Sequence, residues 1–214
     1  KTLPGLTEKY PNVYTSVGVH PLHKDFSSVP SVEELVTLAG MPGVVAIGET
    51  GLDNFYSADT IEWQRQSFIN HLKASQQCGK PVIIHTRDAK EDTLAHIAQY
   101  SDPNVGGVLH CFTEDWDMAS RAIEHNYFIS FSGIVTFKNA KALQEVAKLV
   151  PLERMLIETD SPYLAPVPFR GKSNEPKYVP EVAKFIAELK GVSLEEVAEQ
   201  TSQNFYTLFK DAQK

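Results

Sequence analysis

The sequence predicts an α/β protein built as a TIM-type (β/α) barrel. Three observations carry that reading. Six short apolar runs each end in a polar residue, helical patterns separate the runs, and the run ends are regularly spaced. They fall at positions 20, 49, 85, 110, 132 and 160, which are 29, 36, 25, 22 and 28 residues apart, as successive β/α units would be. A doubly wound sheet gathers its chemistry at one switch point, whereas a barrel turns every strand end towards a common centre. Here nearly every run ends in a residue able to do chemistry, which favours the barrel. Eight strands close such a barrel. Six are counted, so the first two β/α units are expected to be missing from the N-terminal side.

The elements follow in chain order. The opening Lys1-Thr2-Leu3-Pro4-Gly5 reads as a loop. Tyr14 to Val19 forms the first run, before His20. Ser31-Val32-Glu33-Glu34 is a capping box, and Leu35 and Leu38 supply the apolar face of the helix it opens. Val44 to Gly48 precedes Glu49. Thr60 to Cys78 is long and amphipathic, with Ile61, Phe68 and Leu72 as core positions, and stops at Gly79 and Pro81. Val82 to Ile84 precedes His85. Asp88-Ala89-Lys90-Glu91 has the pattern of a second capping box, with Asp88 as N-cap of a helix towards Gln99. Val108 and Leu109 lead to His110, and Phe128 to Phe131 to Ser132. Helices are expected over 117–125 and 139–150. Met155 to Ile157 leads to Glu158 and Asp160. Three helical pieces close the chain: one over 179–190, one opened by Ser193-Leu194-Glu195-Glu196, and one ending near Phe209. Continuous short apolar runs suit strands buried on both faces, as in a parallel sheet.

With 214 residues, 42% of them apolar and 22% charged, the chain can bury a core as one domain over 1–214. Two cysteines, Cys78 and Cys111, rule out a disulfide scaffold, both are read as buried, and a reducing cytoplasm is the expected location. A net charge of −7 argues against a general nucleic-acid binder with a basic stripe, although a metal centre supplies local positive charge for a phosphate. No run approaches the ~20 apolar residues of a membrane span, and nothing marks an obligate protein partner.

Glu49, His85, His110 and Asp160 form the central constellation. Each ends an apolar run, where a barrel places its active site. Imidazole and carboxylate suit Zn, Mn or Mg without selecting one, and a carboxylate can bridge two ions. His20 either touches substrate, sits beside the metals, or fixes the turn before Pro21. His23 reads as solvated, and His71, His96 and His125 as surface or packing residues. Glu158 shares a face with Asp160 and either orients a ligand or pairs with a basic residue. Arg87 either grips a phosphate or pairs with an acid. The loop 169–176, with Arg170 and Lys172, either binds substrate or is a solvated loop. No nucleophile elbow, P-loop, dinucleotide fingerprint or Cys-x-x-Cys pattern occurs.

Taken together, Val17-Gly18-Val19-His20-Pro21, Gly48-Glu49-Thr50-Gly51-Leu52-Asp53, Ile84-His85-Thr86-Arg87-Asp88-Ala89, Leu109-His110-Cys111-Phe112, Glu158-Thr159-Asp160-Ser161-Pro162-Tyr163-Leu164, Arg170-Gly171-Lys172, Asn174-Glu175-Pro176 and Asn204-Phe205 resemble the TatD family of deoxyribonucleases, and within it the bacterial YcfH-type branch. The resemblance implies a barrel of the amidohydrolase-like superfamily and a metal-dependent hydrolase that cuts phosphodiester bonds in DNA, several members trimming it from the 3′ end. It implies two divalent ions, with Glu49 bridging, His85 and His110 on one ion, and Asp160 on the other, placed to take a proton from water. The mechanism it implies has Arg87 or Arg170 steadying the phosphate, with His20 taken as a further substrate contact, and Ser173 stands where many relatives carry a basic residue. The family opens on a His-x-His strand that this sequence lacks before Thr2, so a weakened second ion is expected. Two rival readings stay open: hydrolysis of another ester or amide bond on the same barrel, and an inactive fragment.

Overall fold

The computed structural model describes residues 4–23 and 28–212. Strands and helices alternate along the chain as α1 (Pro4–Lys9), β1 (Thr15–Val17), α2 (Val32–Ala39), β2 (Val44–Asp53), α3 (Ile61–Cys78), β3 (Val82–Arg87), α4 (Lys90–Tyr100), β4 (Gly107–Leu109), α5 (Trp116–Glu124), β5 (Tyr127–Phe131), α6 (Lys141–Leu149), β6 (Met155–Ile157), α7 (Val179–Lys190) and α8 (Leu194–Leu208). The six strands keep chain order in the sheet, and the pairs β1·β2, β2·β3 and β5·β6 are parallel. The expected α/β architecture is therefore present. Among the described residues no helix is long and apolar enough to cross a membrane.

The chain divides into two compact units. The first holds the described residues of Lys1–Val108, His125–Tyr127 and Tyr206–Lys214. Its spine is β2, in which every residue but Glu49 is buried, as expected of a strand covered on both faces. Ile47, Leu52, Phe68, Leu72, Ile84 and Ile97 are wholly buried around it. Local signals set the helix ends. The Ser31 hydroxyl accepts the Glu34 N–H while the Glu34 carboxylate accepts the Ser31 N–H, so the expected box caps α2. Gly79 ends α3 in the left-handed region at φ 69°, which glycine adopts without steric cost. From α3, the buried Gln64 accepts the Asp53 N–H at 2.7 Å and donates to the Ser57 carbonyl at 2.7 Å. This ties the end of β2 and the following loop to the helix.

The second unit comprises Leu109–Glu124 and Phe128–Phe205. Phe112, Met118, Ile129, Phe131, Met155, Val182 and Ile186 are buried there. Asn204 donates to the Leu152 and Met155 carbonyls at 2.8 and 2.7 Å, and so holds the entry to β6. Asn174 donates to the Thr159 and Tyr163 carbonyls, both at 2.7 Å, and its backbone N–H reaches the Pro162 carbonyl at 2.9 Å.

Several expectations need correction. Pro4 and Gly5 belong to α1 rather than to a loop, whereas Lys1 to Leu3 lie outside the described residues. β2 and β3 run on to Asp53 and Arg87, so Glu49 and His85 lie inside strands rather than at their ends. Asp88 does not cap α4. Its φ of 51° places it in the left-handed region, the N-cap position falls to Ala89 without a side-chain bond, and the Asp88 carbonyl instead accepts Asn54 Nδ2 at 2.9 Å. The last two helical pieces are one helix, α8, whose first turn is capped by Ser193 Oγ accepting the Glu196 N–H at 3.0 Å. Cys78 and Cys111 are half-buried rather than core. Polar neighbours hold both, with Cys111 Sγ 3.2 Å from Ser132 Oγ and Cys78 Sγ donating to the Ser75 carbonyl.

Candidate metal centre

In the first unit three side chains converge. Glu49 projects from the middle of β2, His85 from β3, and His20 from the loop after β1. Glu49 Oε1 lies 3.3 Å from His20 Nε2 and 3.4 Å from His85 Nδ1, and the two rings meet edge-on with centroids 4.7 Å apart. One donor atom from each of the three lies within 4.8 Å of the others. The partners fix which nitrogen does what. His85 Nε2 is 2.9 Å from Oδ2 of the fully buried Asp53, so its N–H is spent there and Nδ1 is turned towards Glu49. His20 Nδ1 accepts the Leu22 N–H at 3.1 Å, which leaves the neutral ring with its proton on Nε2. His20 therefore presents a donor and His85 a lone pair. Burial pushes the His85 imidazolium down, but Glu49 and Asp53 beside it outweigh that and hold the ring above its ordinary value. A set of imidazole and carboxylate fits a divalent ion such as Mg, Mn or Zn.

The second unit repeats the design. His110 follows β4, and Glu158 and Asp160 follow β6. His110 Nδ1 is 2.9 Å from Glu158 Oε2, and His110 Nε2 is 3.4 Å from Asp160 Oδ1. Ser130 on β5 donates its hydroxyl to the same Glu158 oxygen. Asp160 sits at φ 59°, in a segment gripped by Asn174. In each unit one carboxylate at 2.9 Å fixes the imidazole and another at 3.4 Å faces its second nitrogen. A carboxylate behind a metal-binding histidine sets the tautomer and ring orientation in this way.

Glu49 with His85, and His110 with Asp160, are thus brought together as pairs within their own units, and Glu158 orients His110 as one of the two sequence readings had it. Asp53 was missed, although residues four apart on a strand share a face and Glu49 and Asp53 stand in that relation. Arg87 packs its guanidinium over Phe55 and Tyr56 at 4.2 and 4.7 Å from the ring centroids. Arg170 is exposed and lies 4.1 Å over Phe137. His23 is exposed as expected, and His96 packs on Phe68.

His71 proves to be a packing residue that serves the site. It is fully buried, its Nδ1–H donates to the Ser67 carbonyl at 2.7 Å, and its Nε2 accepts the Val19 N–H at 2.9 Å. That bond anchors the residue just before His20. Burial pushes the imidazolium down to about 4 from the ordinary 6.5, only partly offset by Ser67. Between these values the unfolded chain holds a proton that the folded chain does not. Stability is therefore expected to fall as pH drops from 6.5 to about 4, by up to about 3 kcal/mol from this group. Urea unfolding at pH 6.5 and pH 4 should show a smaller difference in His71→Gln than in the unsubstituted protein. Equal differences would remove His71 as the cause.

An α/β fold of TIM-like type with histidine–carboxylate clusters in and just after its strands defines a metal-dependent hydrolase. The family model described as TatD related DNase matches residues 2–210, and the chain belongs to that family. It is 51% identical to the metal-dependent hydrolase YcfH of Escherichia coli K12 over 214 residues, which span 97% of this chain and 80% of YcfH. It is 35% identical over 209 residues to the 3′-5′ ssDNA/RNA exonuclease TatD of Citrobacter rodentium, covering 95% of this chain and 80% of that one. Among solved structures it is similar to the TatD homologue YjjV of Escherichia coli K12, with a TM-score of 0.87 at 30% identity over 97% of this chain and 81% of the other.

Proposed function

We propose that this protein hydrolyses phosphodiester bonds in DNA, working from the 3′ end, with two divalent ions (Mg, Mn or Zn) held by Glu49, His85, His110 and Asp160. The observation that carries the reading is the relay in which Asp53 takes the His85 Nε2–H and turns Nδ1 towards Glu49. Its counterpart, Glu158–His110–Asp160, supports it, as does membership of the TatD family. Ions held in the first unit by Glu49 and His85, and in the second by His110 and Asp160, would supply charge to polarise a phosphoryl oxygen and lower the pKa of a water. Asp160 accepts the proton that this water gives up. Glu49 would supply the negative charge that balances a cation in the first unit. His20 donates from Nε2 to a phosphate oxygen, and Arg87 and Arg170 each offer N–H edges to a phosphate. An acidic surface is no obstacle, because these cations act at short range.

The test is cleavage of 5′-labelled single-stranded and duplex DNA by protein stripped with EDTA and then resupplied with Mg, Mn or Zn. The expected result is loss of cleavage on stripping, recovery with at least one ion, and products shortened from the 3′ end. Cleavage that survives stripping, or no cleavage with any ion, would overturn the proposal.

A further inference from the structure

The first unit carries an exposed aromatic pair that the hydrolytic chemistry does not use. Phe55 and Tyr56 follow β2, and their side chains are 56% and 63% exposed. Their rings meet at 87° with centroids 4.7 Å apart. The Arg87 guanidinium lies over both, because parallel pairing sets Asp53 opposite Arg87 at the ends of β2 and β3. The loop is built rather than loose. Asn54 donates its backbone N–H to the Arg87 carbonyl at 3.0 Å and its Nδ2 to the Asp88 carbonyl at 2.9 Å. Asp53 Oδ1 accepts the Tyr56 N–H at 2.7 Å while Oδ2 holds His85. One buried carboxylate therefore sets both the metal-facing imidazole and the backbone of the aromatic pair.

Exposed aromatic rings leave apolar surface in water without a folding reason for doing so. A cation seated over two such rings offers a combination that fits one ligand chemistry well: a flat π-face to stack and a phosphate beside it. We propose that Phe55, Tyr56 and Arg87 form a shelf for an unpaired nucleobase and its phosphate, next to the bond being cut. The proposal rests on the nuclease reading and deepens it, because a base held in a duplex cannot lie on the shelf. It makes Phe55 and Tyr56 specificity residues for single-stranded substrate, with Arg87 serving the phosphate and keeping the rings in place.

The test is fluorescence anisotropy with two 5′-labelled probes, oligo(dT) and an oligomer of the same length with abasic sugars at its 3′ end, in EDTA and again with Ca²⁺. Phe55→Ala and Tyr56→Ala should each weaken oligo(dT) binding about tenfold and leave the abasic oligomer unaffected. Arg87→Ala should weaken both probes, and Phe55→Trp should retain oligo(dT). The Tyr56 bond to Asp53 uses backbone N–H, so thermal melting should not move. If the protein binds or cuts single-stranded DNA but the two alanine variants bind oligo(dT) as the unsubstituted protein does, the shelf is overturned and the nuclease reading stands. Equal weakening on both probes also overturns the shelf. No binding of oligo(dT), with Ca²⁺ or without, together with no cleavage, overturns both.

Discussion

Glu49→Gln is expected to lower hydrolysis of bis-p-nitrophenyl phosphate by about 10³-fold or more, equivalent to about 4 kcal/mol of transition-state stabilisation. The change keeps the size of the side chain and removes its charge. That charge lies against both His20 and His85 in the first unit, and without it a cation beside the His85 lone pair would lose its neutralising oxygen. Metal content after dialysis should fall with the rate. Asp53→Asn provides a graded comparison. It leaves Glu49 in place but exchanges the carboxylate that fixes His85 Nε2 for an amide able to present an N–H, so the preferred tautomer is no longer enforced. A loss of about 10–100-fold in metal affinity is expected for such a partner, and added metal should recover much of the rate. Elemental analysis alongside steady-state kinetics checks both. A Glu49→Gln protein with full metal content and full rate would remove Glu49 from the centre.

Gly51→Ala is expected to destabilise the protein by about 4 kcal/mol, a drop of about 10 °C in melting temperature for a chain of this size. Gly51 lies in β2 opposite His85, at φ 138°. A Cβ there would lie 1.9 Å from the His85 carbonyl oxygen. The obstacle is backbone of a paired strand, which cannot swing aside as a flexible side chain would. Relief requires β2 and β3 to part at the position that carries His85. Gly79→Ala separates this steric cost from conformational cost. Gly79 is also left-handed, at φ 69°, but nothing lies within 4 Å of its added Cβ, so only about 1 kcal/mol should be lost. Calorimetry of the two variants decides, and equal drops would show that the contact with His85 is relieved cheaply.

Much of the architecture was legible because burial on both faces leaves a simple trace. Val44 to Ile47 at the start of β2, together with β5 and β6, are short, nearly continuous apolar runs, against which the polar residues in or after them mark candidates for chemistry. Glu49, His85, His110 and Asp160 stood out for that reason. What stayed hidden depends on contacts between distant residues or on local backbone that composition does not encode. Asp53 was obscured because the apolar run ends at Gly48, whereas β2 continues through Gly51, which leaves room for the neighbouring strand. His71 looked like any helical histidine until the Val19 N–H was found on it. Asp88 had the right chemistry for a cap and the wrong backbone, since its carbonyl was already committed to Asn54. Phe55, Tyr56 and Arg87 are ordinary residues in sequence, and only the parallel register of β2 and β3 sets the cation over the rings.

The three bonds of Asn174 have a consequence for how the protein can change. They staple the chain at Thr159, Pro162 and Tyr163, closing the segment from 163 to 173 into a ring whose foot is fixed and whose turn over 171–173 is exposed. Gly171 and its neighbours are exposed, and space is free around the Gly171 Cα. Changes of length or charge at the exposed turn over 171–173 should leave the foot in place, and Asp160 lies at the foot. The reach of the ring and the position of the acid are therefore separately adjustable. A lineage could retune what this rim holds while Asp160 keeps its place, and grafts at 171–173 that retain Arg170 should leave the hydrolysis of a small phosphodiester unchanged.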